Sequence, residues 1–312
     1  MLKSVKVLAQ QTAWVYKREG LFTVIKKILK HSWKLPIWML EDVKWFFLTL
    51  RSKKIFISKI HGKVMYLNPK DYGISKELAI YRTHEPLATK ILRKFIKNGM
   101  TIIDIGANIG YYVLLESLAV GPSGKIIAIE PDLINLKFLK LNVKKNCLEN
   151  VFIVSAALGD YNGIGKMYTS EFSNLHSLIA TSRVKLETVE VPVYTLDTLM
   201  EKMDFPVHLV RMDVEGYETN IIMGARQTLK KYLPILMMEL HTPIIGRNKT
   251  LELLRELRNL GYNRVYIMER EKDFSWFPCS PGLYATTIDA LLAEIDSLLN
   301  INECVTVFFT KK

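Results

Sequence analysis

Asp104, Gly106, Asn108 and Gly110 alternate through one short stretch, "DIGANIG", and Glu130 closes the next apolar run. Small residues there let a ligand approach the backbone, and a carboxylate can accept hydrogen bonds from two neighbouring hydroxyls. The spacing narrows the ligand. A dinucleotide turn wants G-x-G-x-x-G, but counting from Gly106 the needed positions hold Asn108 and Tyr111. A phosphate-cradling G-x-x-x-x-G-K-[ST] loop is absent as well. An acid suited to ribose hydroxyls without a pyrophosphate cradle implies an adenosine joined to something else. S-adenosylmethionine answers that description.

More carboxylates and histidines recur where strands should end. Asp213 closes "FPVHLVRMD", Glu239 and His241 close "YLPILMMELH", and Ser155-Ala156 close "VFIVSA". Alternation puts Glu239 and His241 on the same side of an extended strand. With Asp213 they would form a mixed oxygen and nitrogen set able to hold Mg²⁺ or Mn²⁺. Asp213 is also the first candidate for a general base, with Glu215 and Glu218 behind it. His176, in the predicted loop "SNLHSL", is a further catalytic candidate. Each has a bland alternative: a strand-end acid often caps a helix, and a histidine often bonds backbone. Asp132 is the better cap for the helix after Glu130, which leaves Glu130 for ribose.

These residues need a sheet to gather them. Thr101–Ile103 and Lys125–Ile129 read as buried parallel strands around a helix at Tyr111–Val120. Helical patterns follow at Ile134–Lys145 and Glu218–Lys231, so strands and helices alternate. That implies a doubly wound, Rossmann-like α/β sheet with ligands at the carboxyl ends of its strands. "RVYIM" and "TVFFT" offer two further strands, and "IDALLAEIDSLL" between them reads as one extra helix.

The ordered set "DIGANIGYY", "IEPD", "AALGD", "VPVYTLDTL", "RMDVEGYE", "GAR" and "PILMMEL" resembles the FkbM-type methyltransferases over about residues 70 to 270. The resemblance implies a class I S-adenosylmethionine enzyme, mostly parallel in its sheet with an antiparallel last strand. It also implies O-methylation of a saccharide, glycolipid or lipid-linked glycan. Residues Asp104, Gly106, Asn108, Gly110, Glu130, Ser155 and Ala156 fall where that family binds the cofactor, and Glu85 of the lead-in segment would close one side. The Asp/Asn-Pro-Pro-aromatic motif of amino-directed nucleic-acid methyltransferases is replaced by Asp213-Val-Glu-Gly. A base-modifying enzyme is therefore disfavoured. An RNA-directed methyltransferase and a non-catalytic S-adenosylmethionine-binding protein are the alternatives.

The chain has 312 residues and a formal net charge of +12. Nearly all of that surplus lies in residues 1–60, with thirteen Lys and Arg against three Asp and Glu. The expected division is a basic helical N-terminal extension over 1–60, a lead-in over 61–99 and a catalytic domain over 100–312 with an insertion at about 271–303. Leu21, Val24, Ile25, Ile28 and Leu29 share one helical face flanked by Lys26, Lys27 and Lys30. Two readings fit that face equally: docking to an anionic membrane surface, or packing on the catalytic domain. Nucleic acid is the weaker partner, since no RNA-binding module accompanies the charge. Three scattered cysteines without C-x-x-C argue against a disulfide framework. No signal peptide is evident, and no apolar stretch reaches the about eighteen residues of a membrane span. A cytoplasmic enzyme, peripheral on the inner membrane surface if the arm binds lipid, is expected.

Overall fold

Every side chain of Thr101–Ile105 is buried, as expected of a strand with helices on both faces. The computed structural model describes residues 37–51, 55–170, 173, 176–179, 187–268, 283–299 and 304–311. Its strands in chain order are β1 (Phe56–Ile60), β2 (Lys63–Leu67), β3 (Thr101–Ile105), β4 (Lys125–Ile129), β5 (Val151–Val154) and β6 (Ala157–Leu158). They continue as β7 (Gly163–Thr169), β8 (Glu187–Tyr194), β9 (Leu209–Met212), β10 (Ile235–Leu240), β11 (Arg264–Met268), β12 (Leu283–Thr287) and β13 (Val305–Thr310).

Among the described residues the main sheet runs β12-β11-β13-β10-β9-β3-β4-β5. Strands β10, β9, β3, β4 and β5 pair in parallel, and β13 lies antiparallel to both β10 and β11. The chain winds outward from β3 to β5, then returns to β9 on the other side of β3. The carboxyl ends of β3 and β9 therefore form a topological switch point, where doubly wound sheets bind ligands. Alternate residues divide between two cores. Ile103, Ile105, Val210 and Met212 pack towards the helices Leu196–Glu201, Glu218–Met223, Arg226–Tyr232 and Thr242–Leu260. Ile102, Ile126, Ala128 and Leu209 pack towards Pro86–Phe95, Tyr111–Val120 and Leu133–Lys145.

The structure departs from the sequence pattern in four places. The helix expected over Glu218–Lys231 is two helices, divided at Gly224-Ala225. Asp197 explains the break: its N–H donates to the Gly224 carbonyl at 3.1 Å, and its carboxylate accepts from Gln227 and Thr228 N–H at 3.0 and 2.8 Å. The second helix is thus capped from a distant segment. "IDALLAEIDSLL" is likewise two short helices, Ile288–Ala293 and Ile295–Leu298, preceded by the unexpected edge strand β12; much of the remaining insertion lies outside the described residues. A separate sheet, β6-β8-β7, was not legible either. Finally, the boundary at residue 60 cuts a hairpin, because β1 and β2 join through His61 and Gly62 at φ +50° and +79°.

Part of the basic extension packs on the domain. In the helix Ile37–Arg51, Trp45 is buried, Asp42 pairs with Lys76 at 2.5 Å and Glu41 accepts from the Tyr81 hydroxyl. The apolar face at Leu21–Leu29 lies outside the described residues. Among those described, no helix is long and apolar enough to cross a membrane.

The hairpin is fixed by two asparagines, one in the helix Leu133–Lys145 and one at its C-terminal cap. Asn142 accepts from Tyr66 N–H at 2.6 Å and donates to the Tyr66 and Ile109 carbonyls at 3.1 and 2.8 Å. One turn on, Asn146 accepts from Val64 N–H and donates to the Val64 carbonyl. Asn142→Ala would strand these partners, so a loss of about 1–3 kcal/mol is expected. Urea unfolding checks it; an unchanged midpoint would show that the hairpin is held by its apolar face alone.

Candidate active site

Strand β3 ends in a turn that only particular residues can make. Gly106 has φ +80°, and a Cβ there would stand 2.1 Å from the Asp213 carbonyl oxygen. Asn108 adopts φ +50°, with its own Oδ1 accepting from Ile109 N–H at 2.7 Å. Gly110, at φ +91°, caps the helix Tyr111–Val120, and a Cβ on it would press Leu139. The turn therefore runs flush with the sheet edge and leaves beside it a cleft that opens to solvent.

Glu130 lines the cleft and is 5 % exposed. Its carboxylate accepts from Asn108 N–H at 2.8 Å and Asp132 N–H at 2.9 Å. Burial pushes its acid up to about 7, although those amides favour the anion. Asp132 caps the following helix, accepting from Ile134 and Asn135 N–H at 2.9 and 2.8 Å. Ala156 is buried in the cleft wall, whereas Ser155 is exposed and does not line it. The side chain of Asn135 completes this end.

Asp104 sits beneath the cleft rather than in it. It is fully buried and takes Arg211 Nη1 at 2.9 Å, while Arg211 Nη2 reaches Asp213 Oδ2 at 3.2 Å. The guanidinium also stacks over the Tyr112 ring at 3.9 Å. Burial raises the Asp104 acid against the pull of Arg211. Beside it, Glu116 is wholly buried, and burial followed by the Asp104 charge drives its acid well above the usual range.

Asp213 and Glu215 line the cleft on the far side of β3 from Glu130. Glu215 at φ +51° and Gly216 at φ +102° turn the chain there; a Cβ on Gly216 would strike Ile244. His241 lies behind them, 2 % exposed, with Nδ1 2.6 Å from Glu218 Oε1 and Nε2 3.4 Å from Glu215 Oε2. Burial opposes a charge on this imidazole, but Glu218, Glu239 and Glu215 hold its pKa well above the ordinary value. The expected trio Asp213, Glu239 and His241 is not brought together. Asp213 groups with Glu215 and His241, whereas Glu239 groups with His241 and Cys304, and neither Glu239 nor His241 lines the cleft. Burial, then the Asp213 charge, raises the Glu239 acid to about 8. The reason is strand direction: β10 ends at Leu240, and His241 already begins the next helix.

His176 does line the cleft; its Nδ1 accepts from Ser170 N–H at 3.1 Å, and burial lowers its pKa. Glu85 does not line it, but accepts from the Tyr112 hydroxyl at 2.7 Å as the first residue before the helix Pro86–Phe95. Its neighbour His84 does line it: burial works against the imidazolium, yet Glu85 and Glu77 raise its pKa to about 9. Sequence reasoning passed over His84, Tyr112 and Arg211. For Arg211 the signal was there: a charged residue two positions before Asp213 inside a buried strand, hence on the same face.

This strand order, with its last strand reversed and a buried acid lining the cleft just after β4, defines a class I methyltransferase fold. The Methyltransferase FkbM domain model matches residues 104–264, just over half of the chain, and the protein belongs to the FkbM methyltransferase family. Among solved structures it is similar to the methyltransferase FkbM from Methylobacillus flagellatus KT (13 % identity, TM-score 0.44, covering 75 % of this chain and 52 % of that one). The chain thus spans about half the length of that relative. A SAM-dependent O-methyltransferase from Thermotoga maritima is similar at 17 % identity and TM-score 0.43, covering 76 % of this chain and 70 % of that one. SMU.1697c from Streptococcus mutans, a putative methyltransferase in complex with SAH, is similar at 8 % identity and TM-score 0.40, covering 73 % and 98 %. No curated protein sequence matches.

If ribose hydroxyls donate to the Glu130 carboxylate, binding favours the anion and lowers the acid's pKa from about 7. S-adenosylhomocysteine affinity should be full above that value and decline as pH falls through it, by up to about tenfold per unit. Calorimetry from acid to mildly alkaline pH tests this, and Glu130→Gln should flatten the profile; an equally steep profile in the variant would assign the effect elsewhere.

Proposed function

We propose that the protein transfers a methyl group to a hydroxyl oxygen of a saccharide, glycolipid or lipid-linked glycan. The observation that carries the oxygen-directed part is the pair of carboxylates, Asp213 and Glu215, lining the cleft across β3 from the ribose acid. The saccharide class rests on the kinship with FkbM methyltransferases. S-adenosylmethionine supplies an electrophilic methyl on a sulfonium whose departure leaves a neutral thioether. The residues of the chain must then position the acceptor and remove one proton.

Gly106, Asn108, Glu130 and Ala156 would hold the nucleoside end, with Asn135 behind Glu130. Asp213 would accept the hydroxyl proton as the new carbon–oxygen bond forms. Arg211 holds one oxygen of that carboxylate at 3.2 Å, so the side chain is oriented before an acceptor arrives. His176, neutral through burial, and His84 stand on the cleft wall where an acceptor would pass. Amine-directed chemistry on bases lacks support, since Val214-Glu215-Gly216 follows Asp213 where a Pro-Pro-aromatic run would be needed.

Asp213→Asn should cut turnover by about a hundredfold or more. Its affinity for S-adenosylhomocysteine should stay within about threefold of the parent, because the variant still faces Arg211 but cannot take a proton. Mass spectrometry of host glycans and lipids, with and without the gene, would identify the acceptor by a lost methyl. Normal turnover by Asp213→Asn removes it from the chemistry, and cofactor binding without any methylated product favours a binding protein.

The basic segment adds a location to this reading: an anionic membrane surface would concentrate a lipid-linked acceptor. Because the helix Ile37–Arg51 packs on the domain, the informative truncation begins at Ile37. Flotation with anionic vesicles should be strong for the full chain at low salt and weak for that truncation. Equal recovery of the two would leave residues 1–36 without a membrane role.

A further inference from the structure

We infer that Asp213, Glu215 and His241 hold a divalent cation of the Mn²⁺ class at the acceptor side of the cleft. This deepens the oxygen-directed reading above and rests on it for its purpose, though not for its test. One ligand atom from each of the three lies within 4.8 Å of the other two. Ligands at right angles on such an ion stand about 3 Å apart, so small side-chain rotations would close the set.

The imidazole is prepared for this role. Glu218, fully buried, meets His241 Nδ1 at 2.6 Å and is itself held by Gly216 N–H at 3.0 Å. A carboxylate on one ring nitrogen sets the tautomer and directs the other nitrogen outward, the usual support of a metal-bound histidine. Here Nε2 faces Glu215, whose carboxylate opens on the cleft with that of Asp213. Arg211 engages Asp213 Oδ2 and leaves Oδ1 to the ion. With the ion bound, Asp213 serves as its ligand in place of taking the proton, which leaves the proton of the metal-polarised hydroxyl to solvent.

Two carboxylates with one imidazole suit Mn²⁺ better than Ca²⁺, which prefers oxygen alone. The second grouping, Glu239, His241 and Cys304, carries a thiol and would select a softer ion, but its Glu239 and Cys304 do not line the cleft. An ion at the first trio borders the cleft and would lower the pKa of an acceptor hydroxyl.

The full chain, stripped of metal with a chelator, is titrated with Mn²⁺ and followed by electron paramagnetic resonance, with S-adenosylhomocysteine binding measured in parallel. No acceptor is needed, so an unidentified acceptor cannot mask the result. Stoichiometric Mn²⁺ binding is expected, weakened about tenfold or more by Glu215→Gln and by Glu218→Gln, with cofactor affinity within about threefold of the parent. Cys304→Ser should leave the Mn²⁺ affinity unchanged. Should Glu218→Gln fail to fold, the part-exposed Glu215→Gln still decides. Absence of Mn²⁺ binding by the parent, unchanged binding by Glu215→Gln, or loss confined to Cys304→Ser each overturns the assignment.

Discussion

The site depends on one buried cation. Arg211 belongs to β9, inside the sheet, and bridges Asp104 on β3 to Asp213 just past the end of β9. Withdrawing a guanidinium and two carboxylates from water costs several kcal/mol per ion, and only close pairing offsets it. The arrangement therefore has little freedom: if either acid moved, a buried charge would stand uncompensated. Tyr112 covers the guanidinium face, and burial followed by the Asp104 charge raises the Glu116 acid beside it, since a further anion there is costly. The carboxyl ends of β3 and β9 are locked together at the place where the cleft opens.

Other segments reach the same place through single polar side chains. Asp71, in the lead-in, accepts from Ser173 N–H and Oγ at 3.0 and 2.9 Å, while also accepting from Gly73 and Ser75 N–H. Asn108 and Asn135 donate to the Ser173 carbonyl at 3.1 and 3.4 Å. Ser173 thus ties the lead-in, the β3 turn and the helix after β4 at the cleft wall. Ser177 does the same on the other side, donating to the Glu215 carbonyl at 2.8 Å. Satisfying these groups internally keeps the cleft open without leaving its polar rim stranded.

The two ends of the cleft differ in what they offer. Around Glu130 the wall is backbone amides, small residues and one carboxylate. Across β3 it carries Asp213 and Glu215 over the His241–Glu218 pair, with His84 and His176 in the wall. The sheet edge between them is only the turn at Gly106–Gly110, so the two ends meet over β3.

Local pattern in the sequence determined much of this. The β-branched runs, the Gly106–Gly110 turn, the Asp132 cap and the acids at strand ends are all short-range signals, and they suffice for a doubly wound sheet with Glu130 at its carboxyl edge. Tertiary structure alone decided the rest, because each remaining feature depends on groups distant in sequence. Asp197 breaks the helix at Gly224 from a separate segment, and Asn142 turns β2 into part of the domain. Arg211 could be seen in the sequence but not its partners, since Asp104 comes beside it only through the β3–β9 register. The grouping of Asp213 with Glu215 and His241, rather than with Glu239, likewise follows from where β10 stops and from the left-handed turn at Glu215. Periodicity tells which side of a strand a residue takes; it does not tell where the strand ends or which neighbour will lie against it.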